Sequence, residues 1–308
     1  MTYYELEPEQ NTFKIISVQT TYRCQMTCAN CYLGDILNNE NYPDVDEGRL
    51  KDFMSRLPFR VNLRFIGAEP TMNESLPDLI GVVRQAGHRP DMLTNGLKLR
   101  RLPYVKQLKE SGLHSLGLSM NGGLDDAAYL EFDNGQYARQ KTIALDNCMN
   151  VGLIPHVNII IDPTNIHVIP DLIQYIDDLG QIYNRRFGAR FPVAIRFKSI
   201  GKLGTFRDTY TYSLDEMIDL MSNIHGYDVK PTVSYKIDGF IERNTCVYPL
   251  EVRSGTLYVK LTDWSVENNE KIPDPGSQRR GILTENYKVA PFFEYYEREH
   301  EKLANSQN

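Results

Sequence analysis

Cysteine is scarce in this 308-residue chain, and the five present are an odd number, which argues against a scaffold of disulfides. Long hydrophobic runs are missing as well. No apolar stretch approaches the roughly 20 residues that a membrane helix needs. The N-terminal Met1–Gln10 segment is acidic rather than apolar, so it does not read as a secretion signal. Positive charge is not in excess: 34 Lys and Arg face 40 Asp and Glu, for a formal net charge of −6. That balance gives no support for a nucleic-acid binder, and RNA modification would need a broader basic surface. Repeats and low-complexity tracts are lacking. The six histidines are dispersed and read as structural. What remains is an ordinary globular composition, expected in a reducing cytoplasm where free thiols persist.

Three of the five cysteines, Cys24, Cys28 and Cys31, fall within eight residues, directly after the apolar run at 13–19. Thiolates hold iron–sulfur clusters. A cubane cluster has four irons, so three cysteines leave one iron open to a non-protein ligand, and an open coordination position is where metal sites react. Two other readings stand beside this one. Zinc is normally bound by separated Cys pairs or Cys/His pairs, but the nearest histidine is His88 and no second pair exists. A redox-active Cys28/Cys31 pair is possible but leaves Cys24 without a role.

The chain repeats one rhythm of short strand, polar loop and amphipathic helix. Strands are expected at 13–19, 61–66, 91–93, 115–120, 156–161 and 193–197, each bounded by Gly, Pro, Asn or Asp. Helices are expected at 46–57, from Asn73 to about 86, and at 102–111, 137–151 and 170–179. The last three stop at Gly112, Gly152 and Gly180. Ser213 and Glu216 form a capping box for a helix at 217–224. Six alternating units predict a parallel sheet with right-handed crossovers, an α/β fold built as a partial (β/α)6 TIM-like barrel. The predicted domains are a short N-terminal extension (1–12), the barrel (13–226) and a C-terminal extension (227–308) that covers the open side. That extension should hold a β-hairpin (247–250 and 256–262, turning at Arg253-Ser254-Gly255) and a terminal helix at 285–303.

Barrel active sites lie at the C-terminal ends of the strands, and here those ends are polar. The second ends in Gly67-Ala68-Glu69-Pro70, where small residues admit a ligand and Glu69 suits an ammonium group. The third ends in Thr94-Asn95-Gly96 and the fourth in Ser119-Met120-Asn121-Gly122. The fifth presents Asn158, and the sixth Arg196 and Lys198.

Together these motifs make the chain resemble the radical S-adenosylmethionine (radical SAM) enzymes over about residues 13 to 205. Cys24, Cys28 and Cys31 match that family's Cys-x3-Cys-x2-Cys motif, and Gly67-Ala68-Glu69-Pro70 is similar to its Gly-Gly-Glu-Pro motif. Two positions depart: Asn30 stands where the family usually has an aromatic residue, which follows instead at Tyr32, and Ala68 replaces a glycine.

The resemblance implies a [4Fe–4S] cluster on the three cysteines and S-adenosylmethionine as cofactors. It implies that Gly67, Ala68, Glu69 and Pro70 hold the methionine ammonium. Thr94 and Asn95 would line the same pocket. Ser119 and Asn121 would reach the ribose or carboxylate, with Asn158 adding a hydrogen bond. Reductive cleavage would give a 5′-deoxyadenosyl radical that abstracts hydrogen from the substrate. An external one-electron reductant of flavodoxin or ferredoxin type is the implied partner.

Charge suggests the substrate. Between Leu179 and Arg207 there is no Asp or Glu, yet Arg185, Arg186, Arg190, Arg196, Lys198, Lys202 and Arg207 all occur. A solvated basic surface is the plain reading. The functional one places Arg196 and Lys198 against a small phosphorylated or carboxylated molecule, since Arg presents a fork that suits both anions. Peptide modification is the runner-up, with lipid and RNA further behind. Only Cys148 and Cys246 remain for an auxiliary cluster, which is too few. Cys148 reads as core. Cys246 is a possible hydrogen donor but more simply structural. From other classes, an iron–sulfur electron carrier or a zinc-binding protein stays open.

Overall fold

The computed structural model describes residues 3–29, 31–153, 155–188, 194–199, 211–227, 234–237, 240–263 and 280–306. Asn30, Arg190, Lys202, Arg207 and most of the polar stretch at 267–280 lie outside them.

All six expected strands form: β1 (Ile15–Gln19), β2 (Asn62–Ile66), β3 (Arg89–Thr94), β4 (Ser115–Ser119), β5 (Pro155–Ile160) and β6 (Ala194–Lys198). They pair in sequence order and in parallel. The helices between them are α1 (Glu47–Ser55), α2 (Leu76–Gln85), α3 (Leu102–Glu110), α4 (Asp126–Asp133), α5 (Ala138–Asn150) and α6 (Ile169–Phe187). Side chains alternate across the strands. Ile16, Val18, Leu63, Phe65, Met92, Leu116, Leu118, Val157, Ile159, Ile195 and Phe197 bury one face against the helices. Each such side chain contributes about 1.5–3 kcal/mol by leaving water. The opposite face carries the polar residues.

Four features depart from the sequence expectations. First, the sheet is wider than six strands. The C-terminal region gives β7 (Ser234–Ile237), β8 (Phe240–Val252), β9 (Gly255–Thr262), β10 (Arg280–Leu283) and β11 (Val289–Pro291). The strand order is β11-β10-β1-β2-β3-β4-β5-β6-β9-β8-β7. Strand β9 pairs in parallel with β6, and β10 in parallel with β1. The expected hairpin is therefore built into the sheet, through the antiparallel β8–β9 pair. The parallel α/β core is that of the expected partial barrel, and the added strands extend it at both edges.

Second, α6 runs through Gly180 to a left-handed Gly188 (φ 61°). The buried spacing Ile169, Leu172, Ile173, Ile176, Gly180 continues one face of the helix, so packing outweighs the roughly 1 kcal/mol that a mid-helix glycine costs. Third, α4 has no counterpart among the expected helices. It is short, and its cap, Asp125 accepting from the Ala127 N–H, sits in what reads as a polar loop. Fourth, the terminal helix α8 (Phe292–Ser306) starts later than expected. Residues 289–291 instead pair with β10, across a turn whose Tyr287 has φ 58°.

Helix α7 (Leu214–Asp219) carries the expected Ser213–Glu216 capping box. Among the described residues, no helix is long and apolar enough to cross a membrane.

Candidate active site

The cysteine loop leaves β1 and is held from three sides. Backbone pairing between the ends of β1 and β2 continues past the strands: the Ala68 N–H donates to the Thr21 carbonyl (3.0 Å) and the Glu69 N–H to the Arg23 carbonyl (3.0 Å). Gly67 is required here, because a Cβ would lie 2.8 Å from the Thr21 carbonyl oxygen. On the second side, the end of α4 docks on the loop. The Ala29 N–H donates to the Phe132 carbonyl (3.3 Å) and Asn134 Nδ2 to the Thr27 carbonyl (2.6 Å). On the third, α8 closes over it. Tyr296 Oη donates to Gln19 Oε1 (2.6 Å), and His300 Nε2 lies 3.0 Å from the Tyr32 carbonyl. Tyr32 meets Tyr296 edge-on at 5.2 Å, and its hydroxyl is 3.1 Å from the Gly67 carbonyl. The aromatic residue after the last cysteine thus ties the loop to the end of β2.

Cys24, Cys28 and Cys31 are all free thiols and partly exposed. Burial pushes the Cys24 thiol up to about 11, helped by the charges of Glu69 and Cys31. Burial also pushes Cys28 up, with Asp133 adding to the effect. Both therefore rest as protonated thiols at neutral pH, and metal binding would release their protons. Among the described residues, no three His, Cys, Asp or Glu side chains are arranged to hold a single metal ion. The donor set, three soft thiols on one loop, suits a cubane cluster, in which each thiolate takes its own iron.

Glu69 is the hub beside them. It is fully buried. Its Oε1 accepts from the Thr71 N–H (3.1 Å), the Thr71 hydroxyl (2.7 Å) and the Thr94 hydroxyl (2.7 Å), and its Oε2 accepts from the Asn95 N–H (2.7 Å). Burial raises its pKa, while these donors pull it down. The Pro70-led turn that follows is pinned by Lys98 Nζ on the Thr71 carbonyl (2.8 Å). Asn95 Nδ2 reaches Cys24 Sγ at 3.7 Å, so the ends of β2 and β3 and the first cysteine form one contact chain.

A second network lies beside Cys28, whose thiol feels the charges of Asp133 and Lys141. Asp133 accepts from Asn121 Nδ2 (3.0 Å) and pairs with Lys141 Nζ (3.3 Å), which also donates to the Ser119 carbonyl (2.9 Å). The Lys141 and Asp133 side chains are 0% and 1% exposed. Asn121 Oδ1 accepts from the Ile160 N–H (3.1 Å), so both ends of its amide are engaged by the protein. Asn158 is buried under Gly117, where a Cβ would stand 2.5 Å from Asn158 Nδ2.

Asp133 and Lys141 were missed in the sequence. One signal was legible: Lys141 falls on the same helical stripe as Ala138, Ala144, Leu145 and Cys148, all buried, and a lysine there demands a partner. Cys246 does not join the site. It is buried in the main core, opposite Leu261 of β9, as is Cys148. Arg196 and Lys198 lie on β6, facing away from that core.

Comparison with known proteins settles the class. The Radical SAM superfamily model matches residues 18–176, just over half of the chain. The chain belongs to the radical SAM superfamily. That superfamily's cofactors, a [4Fe–4S] cluster and S-adenosylmethionine, are therefore its own. A 7,8-dihydro-6-hydroxymethylpterin dimethyltransferase of Methanocaldococcus jannaschii is 26% identical over 173 residues, covering 55% of this chain and 32% of that protein. An Fe-coproporphyrin III synthase of Methanosarcina barkeri is 30% identical over 51% of this chain and 39% of that one. A GTP 3′,8-cyclase of Mycobacterium is 28% identical over 58% of this chain and 52% of that one. The chain thus spans between about a third and a half of these radical SAM relatives. The solved structure of Streptococcus suis SuiB bound to S-adenosylmethionine superposes with a TM-score of 0.63 at 13% identity, over 92% of this chain and 61% of that one. At that identity the likeness concerns the fold alone.

Proposed function

We propose that this radical SAM chain binds its cluster through Cys24, Cys28 and Cys31 and acts on a small anionic molecule. The cofactors, when bound, supply reductive cleavage of the sulfonium and a 5′-deoxyadenosyl radical that removes a substrate hydrogen. The residues of the chain then have separable tasks. Asn95 orients Cys24 and fixes Glu69. Glu69, with the backbone of Gly67, Ala68 and Pro70, receives the methionine ammonium at the joined ends of β1 and β2. Thr94 keeps the Glu69 carboxylate in place. Ser119 and Asn158 face the nucleoside, while Asn121 sets the end of β4. Helix α8 keeps water from the loop. Arg196 and Lys198 receive an anionic group of the substrate, and the electron comes from an external donor of flavodoxin or ferredoxin type.

The observation that carries this reading is the continuous contact chain Cys24–Asn95–Glu69, which joins the thiol loop to the carboxylate turn. Support for a small substrate comes from the relatives, named for a pterin, a porphyrin and GTP. The test is anaerobic reconstitution with iron and sulfide, reduction, addition of S-adenosylmethionine and quantitation of 5′-deoxyadenosine. Formation that disappears in Cys28→Ala supports the proposal. Absence of product from protein with a full cluster content contradicts it.

A further inference from the structure

Helices α4 and α8 cover the cysteine loop, which stays exposed at Gln25, next to Cys24. Gln25 Nε2 donates to Asn95 Oδ1 (3.3 Å), and Asn95 Nδ2 in turn reaches Cys24 Sγ. The same Asn95 Oδ1 accepts the Leu97 N–H (3.0 Å), at the start of a short 3-10 helix, Leu97–Arg100. That helix is firmly seated. Leu99 is fully buried, and its carbonyl accepts from Asn147 Nδ2 of α5 (3.0 Å). Lys98 is held by the Thr71 carbonyl and lies over the Tyr104 ring, 4.8 Å from its centre. Helix α3 follows at once, with Arg101 as its N-cap residue.

The surface carried on this seat is positive. From 92 to 109 the chain has five Lys and Arg and no Asp or Glu, against a net charge of −6 for the whole. Arg100, Arg101 and Lys106 are exposed, and among the described residues no carboxylate pairs with them. Arg100 stands three residues past Leu97, about 6 Å along a 3-10 helix. The cations thus begin close to the side chain that touches Cys24. Neighbouring like charges repel and add nothing to the fold. They do attract a partner of opposite sign, over about 10 Å of salt solution. Ile143, one turn before Asn147 on the same side of α5, adds an exposed apolar residue beside the 3-10 helix. An apolar residue with a charged rim has the make-up of a protein docking surface.

We propose that Arg100, Arg101 and Lys106 form the docking surface for the protein that reduces the cluster, and that this donor is an acidic one-electron carrier. The inference rests on the reading of Cys24, Cys28 and Cys31 as cluster ligands and adds where the electron arrives. A carrier must bring its redox group close to the cluster, and this surface is joined to Cys24 through a single residue, Asn95. One electron leaves the carrier, and the cluster passes from its oxidised to its once-reduced state. No bond is made or broken and no proton moves. Complementary charge speeds encounter more than it prolongs the complex, which suits a donor that must leave after each electron. Three cations on one short stretch are too few to track a nucleic-acid backbone.

The test is rapid-mixing reduction of the anaerobically reconstituted full chain, read as loss of cluster absorbance. Reduced flavodoxin and reduced [4Fe–4S] ferredoxin serve as acidic carriers. Dithionite and reduced methyl viologen, small reductants of opposite charge, need no docking. At least one carrier should reduce the parent, at a rate that falls as salt rises. The double variant Arg100→Glu/Arg101→Glu should slow that carrier about tenfold or more and flatten its salt dependence. Cluster content and the rates with both small reductants should stay within about twofold of the parent. Lys51→Glu should leave every rate unchanged, since Lys51 lines a cavity with Gly87 and His88, at the other end of β3. Where the Glu variant melts earlier or holds less cluster, Arg100→Gln/Arg101→Gln removes the charges without reversing them and should still slow the carrier about threefold or more. A parent reduced by the small reagents but by neither carrier, or carrier rates unchanged in both double variants, would overturn the proposal and leave the cluster reading standing. Protein that assembles no reducible cluster on the three cysteines overturns that reading, and the proposal with it.

Discussion

Replacing Lys141 by Met removes the cation from a pair that water does not reach. Its ammonium is 3.3 Å from Asp133 Oδ2 and 2.9 Å from the Ser119 carbonyl, at 0% exposure. Asp133 would keep Asn121 Nδ2 as its donor, and its charge would remain buried without a counterion. Breaking a buried pair from one side costs about 3–5 kcal/mol. The Ser119 carbonyl also loses its donor, but methionine fills most of the lysine volume, so a total near 4 kcal/mol is expected. Urea unfolding under reducing conditions reads this as a lower midpoint with an unchanged slope. Adding Asp133→Asn removes the stranded charge, and the double variant should recover at least about 2 kcal/mol relative to the sum of the singles. Cluster content in Lys141→Met should also fall, because a Cys28 thiolate would then face Asp133 with no cation nearby. A loss under about 1 kcal/mol, or strict additivity, would refute the idea that this pair is a coupled element of the loop.

The remaining expectations are more local. Glu69→Gln turns the Oε2 position into an amide nitrogen facing the Asn95 N–H, if the amide oxygen keeps the three Oε1 donors, and should cost about 1–3 kcal/mol for the stranded donor. An unfolding free energy within about 0.5 kcal/mol of the parent would contradict that hydrogen-bond set. His88 is buried, accepts from the Val61 N–H at Nδ1 (3.2 Å) and faces the Met54 carbonyl with Nε2 (3.1 Å), so the folded state holds it neutral and burial lowers its pKa. The unfolded chain therefore binds this proton more readily. The stabilisation is complete above the unfolded value, about 6.5, and is lost as pH falls below it. Denaturation midpoints at pH 7.5 and 5.5 should converge in His88→Gln relative to the parent, and an unchanged gap would remove His88 from the account. Tyr296→Phe deletes the hydroxyl bonded to Gln19 Oε1. It should cost about 1 kcal/mol and loosen α8 from the cysteine loop, visible as faster amide exchange in residues 31–37; unchanged exchange there would argue against the clamp.

Much of the site was legible because strand periodicity and turn chemistry act locally. Gly67, Glu69 and Asn95 stand at strand ends that alternation alone can place, and the cysteine spacing needs no partner to be seen. What stayed hidden depends on partners distant in sequence. Strands β9 and β10 join opposite edges of the sheet, and no local pattern says which edge a strand will find. Gly180 looked like a helix stop because glycine stops helices where φ is positive, and here the buried face of α6 keeps it helical. Asp133 and Lys141 become visible only when α4 and α5 are packed together.

The most direct measurement is the yield of 5′-deoxyadenosine from anaerobically reconstituted, reduced protein given S-adenosylmethionine, taken together with its iron, sulfide and zinc content. The account requires about four irons and four sulfides per chain, with product that vanishes when Cys24, Cys28 or Cys31 is replaced by Ala. Zinc without sulfide on those cysteines, or a full cluster that leaves the sulfonium intact, would contradict it.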